Sequence, residues 1–191
     1  MDSSTGGTLL PVVTPATGPA LRLVIQALLA GLLDLPGNLV RQNWQVDVPP
    51  VPAIDVNWCG FGLTVAREDA NPYVAQVSDT ASELQRNEEF EVLCSCYGPA
   101  CEEYAGRIRD GMAIAQNQET LMLAGIACIG VHGPRHVPEL IQDRYQDRAD
   151  VTIVFRREVR RTYNVFVFVG VTDTIVTDHL VPLTRTGVVS A

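Results

Sequence analysis

Three cysteines close together in the sequence, Cys94, Cys96 and Cys101, could hold a metal ion. Zinc sites use cysteine pairs about two to four residues apart, because two thiolates must reach the same tetrahedral ion. Only one residue separates Cys94 from Cys96, and alternation along a strand places both side chains on the same inward face. No second pair accompanies them. We interpret these cysteines as small buried side chains, and a small cysteine metalloprotein remains the alternative.

His132 and His136 have the spacing of paired histidine ligands on a helix, but a glycine and a proline between them are incompatible with a helix. A surface loop over residues 132–138 is therefore predicted. Cys128, like the earlier cysteines, lies in an apolar strand and has no neighbouring cation in the sequence to lower its pKa. The motifs of serine hydrolases, P-loops and dinucleotide sites do not occur. The sequence predicts no catalytic residue, no cofactor and no metal.

A charged cluster ends the last long predicted strand, at Arg156, Arg157, Glu158, Arg160 and Arg161. One interpretation is a solvated strand whose charges oppose edge-to-edge aggregation. The other is an arm that pairs with acidic patches on a neighbouring copy, which makes these five residues a predicted subunit interface. A phosphate-binding role is a weaker alternative, because the net charge of −8 disfavours polyanion binding.

The composition indicates a folded protein with one domain. The chain has 191 residues, of which 47% are hydrophobic and 19% charged. All 14 of its basic residues are arginine, against 22 acidic residues, so a broad DNA-binding surface is not expected. Five cysteines without a positively charged leader indicate reduced thiols and assembly in a cytoplasm. The most apolar run, residues 21–33, is too short to cross a bilayer.

The elements that position these residues centre on residues 86–115. Phe90, Val92, Cys94 and Cys96 alternate with polar residues and predict a half-buried strand over 88–97. A Gly-Pro pair at 98–99 ends the strand and begins a helix. Along this helix one apolar stripe, at Tyr104, Ile108 and Met112, can pack back on the sheet.

The remaining pattern predicts a helix over residues 19–33 and a strand over 57–65, where Gly60 and Gly62 indicate a close backbone approach or a bulge. A proline-rich extended connection lies between them. A short strand at 73–77 and a polar loop to residue 87 follow. Asn117 is predicted to cap a second helix over 118–124. Further strands are predicted at 126–131, 143–163 and 164–169.

Together these elements predict an α+β fold, with a mostly antiparallel sheet packed by two or three helices. The charged half of the strand at 143–163 is predicted to project from the body. We expect an N-terminal arm at 1–18, a domain at 19–169 and a C-terminal arm at 170–191, because both ends are rich in small polar residues and lack periodicity.

Seven strings, in this order and spacing, carry a resemblance to a known family. They are residues 35–44 (LPGNLVRQNW), 57–62 (NWCGFG), 69–73 (DANPY), 88–99 (EEFEVLCSCYGP), 109–111 with 116–117 (RDG and QN), 137–140 (VPEL) and 155–163 (FRREVRRTY). Over about residues 33–165 the chain resembles the phage neck, or tail, terminator proteins.

The resemblance implies a structural virion protein with no catalytic residue. It implies a six-membered ring that caps the tail tube, ends tail polymerisation and joins the tail to the head connector, while DNA passes through the lumen without sequence-specific binding. The implied partners are copies of the chain, the tail tube protein and the connector or adaptor, with the sheath protein as a further candidate and no membrane. Another neck, head-completion or tube component is the alternative.

Overall fold

The computed structural model describes residues 2–4, 6–141, 143–166, 171–175 and 183–187. The chain divides into two compact units. The larger unit comprises Ala16–Asn71 and Arg86–Val159, and the smaller unit comprises Met1–Pro15, Pro72–Gln85 and Arg160–Ala191. The architecture is α+β, as predicted, with three helices and a mostly antiparallel sheet among the described residues.

The sheet of the larger unit has the strand order β1-β2-β4-β8-β5. Its strands are β1 (Val40–Gln42), β2 (Trp58–Glu68), β4 (Ala81–Tyr97), β5 (Ile126–His136) and β8 (Arg148–Tyr163). The β1–β2 pair is parallel, whereas β2–β4 and β5–β8 are antiparallel. The three residues of β1 pair with the segment of β2 around Gly60. The sequence did not predict this short strand, because its residues show no alternation of apolar and polar side chains.

Three helices pack on this sheet and complete the core: α1 (Pro19–Leu33), α2 (Cys101–Gly111) and α3 (Ala115–Leu123). The predicted bounds of α1 are confirmed, and its apolar stripe buries Leu21, Ile25 and Leu29. The predicted stripe on α2 is also confirmed, since Ile108 and Met112 are buried and Tyr104 packs against the core. The first residue of α2 is Cys101, two residues after the predicted Pro99.

The smaller unit contains β3 (Tyr73–Ser78), which pairs antiparallel with residues 81–85 of β4. In the same unit the backbone N–H of Val12 donates to the carbonyl of Thr162 at 2.8 Å, so the N-terminal stretch pairs with the end of β8. Strands β9 (Val171–Ile175) and β10 (Leu183–Gly187) form an antiparallel pair. Whether the two ends act as arms that reach other subunits stays a prediction.

Several local predictions differ from the structure, and strand pairing explains the first three differences. The predicted polar loop before residue 87 is the first part of β4, because β3 pairs with it. Most of the predicted loop at 132–138 belongs to β5, which pairs with β8 through two register shifts. A hairpin of β6 (Glu139–Ile141) and β7 (Arg144–Gln146) was not predicted at all. Of the predicted strand at 164–169, residues 164–166 are not in a strand and the rest lies outside the described residues.

Asn117 is a further correction, because it lies inside α3 and does not cap it. Its side-chain amide donates to the carbonyl of Gly111 at 2.9 Å, and so satisfies the end of the preceding helix. The residue before α3 is Ile114, which makes no side-chain cap. Gly125 follows the helix with φ +69°, as expected for a glycine at a helix C-terminus.

Candidate interaction site

The five charged residues predicted as an interface all lie on β8, where burial alternates with strand period. Arg156, Glu158 and Arg160 are exposed, whereas Arg157 is buried and Arg161 is half-buried. The strand therefore places most of these charges on its outer face and directs Arg157 inward. This alternation separates the buried Arg157 from the exposed Arg156, Glu158 and Arg160.

Arg157 is held by three contacts inside the larger unit. Its Nη2 lies 3.0 Å from Oε1 of Glu88, and its Nη1 donates to the carbonyl of Ala16 at 2.6 Å. Its guanidinium also lies over the ring of Phe90, 5.7 Å from the centroid. The side chains of Arg157 and Glu88 are only 8% and 12% exposed. Such a pair anchors the β8 side of the core and leaves Arg157 little capacity for another subunit.

Arg160 belongs to the smaller unit and makes an ion pair with Glu83 of β4, with 3.4 Å between Nη1 and Oε1. Because the Arg160 side chain is 57% exposed, this pair is weak, of the order of 0–1 kcal/mol. In the larger unit, hydrogen bonds from Asn87 and then the charge of Arg156 lower the pKa of Asp69. The subunit interface predicted at Arg156, Arg157, Glu158, Arg160 and Arg161 stays a prediction.

The cysteines lie in the interior, as the alternating pattern predicted. Cys59 of β2 is directly opposite Cys96 of β4, and Cys94 is two residues away on the same inward face. A hydrogen bond to Cys94 raises the pKa of Cys59, and burial adds to this. A hydrogen bond to Cys59 and burial raise the pKa of Cys96 in the same way. Cys59 and Cys96 therefore stay protonated near neutral pH, and a protonated thiol is a poor nucleophile.

No group of three or more His, Cys, Asp or Glu side chains is arranged to hold a metal ion in the part of the chain that the structure describes. The two histidines of the predicted loop are on β5, and His136 Nε2 lies 3.6 Å from Asp147 Oδ1. Burial is the main cause of the raised pKa of Cys101, to which the nearby carboxylate of Asp147 adds. A thiolate at Cys101 is thus disfavoured.

A stack of aromatic rings and guanidinium groups, which sequence reasoning missed, crosses the outer face of β2 and β4. The rings of Trp58 and Tyr97 are parallel, with centroids 4.1 Å apart, because these residues are cross-strand partners. Arg41 lies over Trp58 and Arg148 over Tyr97. Arg148 is itself fixed by Asp150 and Glu139. The available signal was an aromatic residue near the start of the predicted strand 57–65, Trp58, and one at the end of the predicted strand 88–97, Tyr97.

A cavity of about 430 Å³ lies beside this stack. Part of the proline-rich segment before β2 also lines it. We call residues 44–54 the proline-rich ribbon. Its large apolar side chains are exposed, Trp44 by 80% and Val46 completely. The ribbon has no regular secondary structure, and the guanidinium of Arg41 donates to the carbonyl of Pro50 at 2.7 Å. Ser95 and Tyr97 also line this cavity, and the hydroxyl of Tyr97 donates to Oε2 of Glu139 at 2.9 Å.

At two glycines of β2, for which a close backbone approach or a bulge was predicted, the side chains of Asn43 and Trp44 lie against the strand. A Cβ on Gly60 would lie 3.0 Å from Oδ1 of Asn43. A Cβ on Gly62 would lie 2.7 Å from the ring of Trp44. Glycine at these positions leaves room for the start of the ribbon to lie against the sheet.

A protein-family model described as phage neck terminator protein matches residues 20–182 of the chain. No curated protein matches it. The matched range is wider than the 33–165 of the predicted resemblance, because it takes in the first helix and reaches beyond β9. Among the described residues, no helix is long and apolar enough to cross a membrane.

Proposed function

The chain belongs to the phage neck terminator protein family, and we propose that it forms a ring, a hexamer, that caps the finished tail tube. In this position the ring ends tail polymerisation and presents a docking surface to the head connector. Its partners are other copies of the chain, the tail tube protein and the connector or adaptor, with the sheath protein as a further candidate. The family match over residues 20–182 carries the proposal.

In this proposal the DNA passes through the lumen of the ring without sequence-specific binding. Binding by counterion release needs Lys or Arg on the lumen wall. The chain has 14 arginines against 22 acidic residues, and several of those arginines are already paired within the chain. We expect the lumen wall to be neutral or negative, so that DNA slides and does not stick.

The protein is then a component of the virion, assembled in the host cytoplasm, and it acts by binding and not by catalysis. The exposed apolar ribbon supports this role, because an apolar surface on a single copy suits a protein that is completed by neighbours.

Electron microscopy and native mass spectrometry of the purified full chain test the proposal. We expect six-membered rings, and we expect tail tubes polymerised with the chain to carry one ring at a single end. A chain that stays monomeric at every concentration contradicts the ring. Incorporation along the whole tube would instead indicate a tube component, and stoichiometric zinc in the pure protein would favour a metalloprotein.

A further inference from the structure

Both tryptophans of the chain line the cavity of about 430 Å³ in the larger unit, which we call the tryptophan cavity. Its volume lies within the roughly 300–1,000 Å³ of pockets that bind ligands. Four aliphatic residues line it as well: Val48, Pro49, Val51 and Leu93. Ligand pockets are mostly apolar and use a few polar groups to orient the ligand. The cavity therefore has the size and the lining of a binding site.

Polar groups at the tryptophan cavity can donate hydrogen bonds to a ligand. The indole Nε1 of Trp58 is buried and has no hydrogen-bond partner among the described residues. A buried donor without a partner is costly, so it favours a ligand that brings an acceptor. The side chains of Gln42, Asn43 and Ser95 also line the cavity, and each can donate a hydrogen bond. We therefore expect a ligand that is rich in acceptors, such as carbonyl oxygens.

The charges around the cavity nearly cancel. Arg148 makes ion pairs with Glu139 and Asp150, at 2.8 and 2.7 Å. Arg41 donates to two backbone carbonyls. Two guanidinium groups thus accompany two carboxylates, which gives no strong attraction for a phosphate or a polyanion. Because Arg41 and Arg148 also lie over the two stacked rings, a cationic ligand would meet like charge. The cavity therefore suits an uncharged ligand.

The N-terminal segment at residues 8–15 has the chemistry that this cavity favours. Its sequence is TLLPVVTP, and no charged residue occurs from residue 3 to residue 21. Pro11 and Pro15 lack an N–H, so the segment has more backbone acceptors than backbone donors. Extended segments with prolines bind aromatic-lined grooves, because they lose little conformational freedom on binding. An uncharged, acceptor-rich segment thus matches a cavity with donors and little net charge.

The apolar side chains of this segment remain exposed in a single copy. Leu10 is 73% exposed, Val12 57% and Val13 58%. The contacts of Val12 and Val13 with Thr162 are hydrogen bonds between backbone groups. These side chains can therefore enter a cavity of another copy while the backbone keeps its pairing with β8. Their burial there would add the apolar contact that a single copy does not make.

We propose that the tryptophan cavity binds an uncharged, proline-containing peptide segment, namely residues 8–15 of a second copy of the chain. In this contact an apolar side chain of the segment enters the cavity, and one of its carbonyl oxygens accepts a hydrogen bond from Nε1 of Trp58. The inference deepens the proposed ring and rests on it, because a cavity and a segment on the same chain make a head-to-tail contact that can close into a ring.

A synthetic peptide of residues 8–15, acetylated and amidated so that it carries no charge, tests the site in the full-length chain below the concentration at which rings form. Because both tryptophans line the cavity, binding should change their fluorescence in a saturable way. Val48→Arg adds a charge at an exposed residue of the lining and should raise the Kd at least about tenfold. Val46→Arg is the matched control, since Val46 is exposed on the same ribbon but does not line the cavity. Equal Kd values in the two variants, or no binding to the unaltered chain at about 1 mM peptide, would overturn the proposal.

Photo-crosslinking tests whether the segment comes from another copy. A benzophenone amino acid replaces Leu10, whose exposure makes the change tolerable for the fold. Rings are assembled from this unlabelled variant together with the isotopically labelled, unaltered chain, and they are then irradiated. We expect mass spectrometry to find crosslinks from residue 10 to residues 41–51 or 93–97 of a labelled copy. Crosslinks confined to one and the same chain would overturn the proposal.

The outcomes separate this inference from the ring itself. If the Val48→Arg chain forms rings as readily as the Val46→Arg chain, the cavity is not part of the interface, and the ring stands. If the peptide binds the unaltered chain but this chain never forms rings, the proposed ring fails, and a second copy is no longer the occupant. If rings form and the peptide does not bind, the ring stands and the assignment of the cavity is wrong.

Discussion

Arg157 and Glu88 form an ion pair inside the larger unit, with 3.0 Å between Nη2 and Oε1. Alternation along β8 turns Arg157 inward while its neighbours Arg156 and Glu158 face outward. Arg157, which the sequence analysis grouped with the predicted interface, therefore stabilises the fold of its own chain. The interface hypothesis now depends on Arg156, Glu158, Arg160 and Arg161.

Glu88→Gln should destabilise the chain strongly, because it removes the charge partner of a buried guanidinium. We expect the free energy of unfolding to fall by about 3–5 kcal/mol, measured by urea denaturation. Arg160→Ala is the matched control, since it breaks an exposed ion pair on the same strand and should cost less than about 1 kcal/mol. Equal losses in the two variants would contradict the assigned role of Arg157.

Gly98→Ala should be more destabilising than Gly125→Ala, although both glycines have positive φ. The left-handed backbone alone costs an alanine about 1–2 kcal/mol at either position. At Gly98 the new Cβ would also lie 2.8 Å from the carbonyl oxygen of Val56, whereas nothing lies within 4 Å at Gly125. We expect an additional loss of about 1–3 kcal/mol at Gly98. Thermal unfolding of the two variants measures the difference, and similar values would contradict it.

The thiols should resist modification while the chain is folded. Cys59, Cys94, Cys96 and Cys101 are buried, and Cys128 is half-buried with a pKa that burial raises. Near neutral pH we expect an aromatic disulfide reagent to label Cys128 slowly and the other four only after denaturation. Mass spectrometry of the labelled chain identifies each site. Rapid labelling of Cys101 in the native protein would contradict the protonated, buried state.

Stability should fall at alkaline pH because folding raises the pKa of Cys59 and Cys96 above the ordinary value of 9.0. Above that pH the unfolded chain loses thiol protons that the folded chain keeps, so the free energy of unfolding decreases as pH rises. Each thiol contributes a slope of about 1.4 kcal/mol per pH unit there. Cys96→Ala should reduce the loss of stability between about pH 8 and about pH 10 by about 1.4 kcal/mol in total, measured by urea denaturation. An unchanged slope would show that Cys96 ionises normally.

The sequence by itself determined the core elements whose periodicity is strong. The stripe of α1, the alternation of residues 88–97 and the close approach at Gly60 and Gly62 are all visible in residue order, because each reflects burial of one face. The family resemblance also came from residue order, and the match over residues 20–182 confirms it.

Only the tertiary structure decided which polar segments become strands and which charge turns inward. Residues 81–87 look like a loop until β3 pairs with them, and Arg157 looks like a surface charge until Glu88 and Ala16 meet it. The stack of Trp58 on Tyr97 likewise needs the β2–β4 register. Hydrogen bonds and ion pairs between residues that are distant in the sequence determine these features. Local periodicity cannot predict them, because it depends only on neighbouring residues.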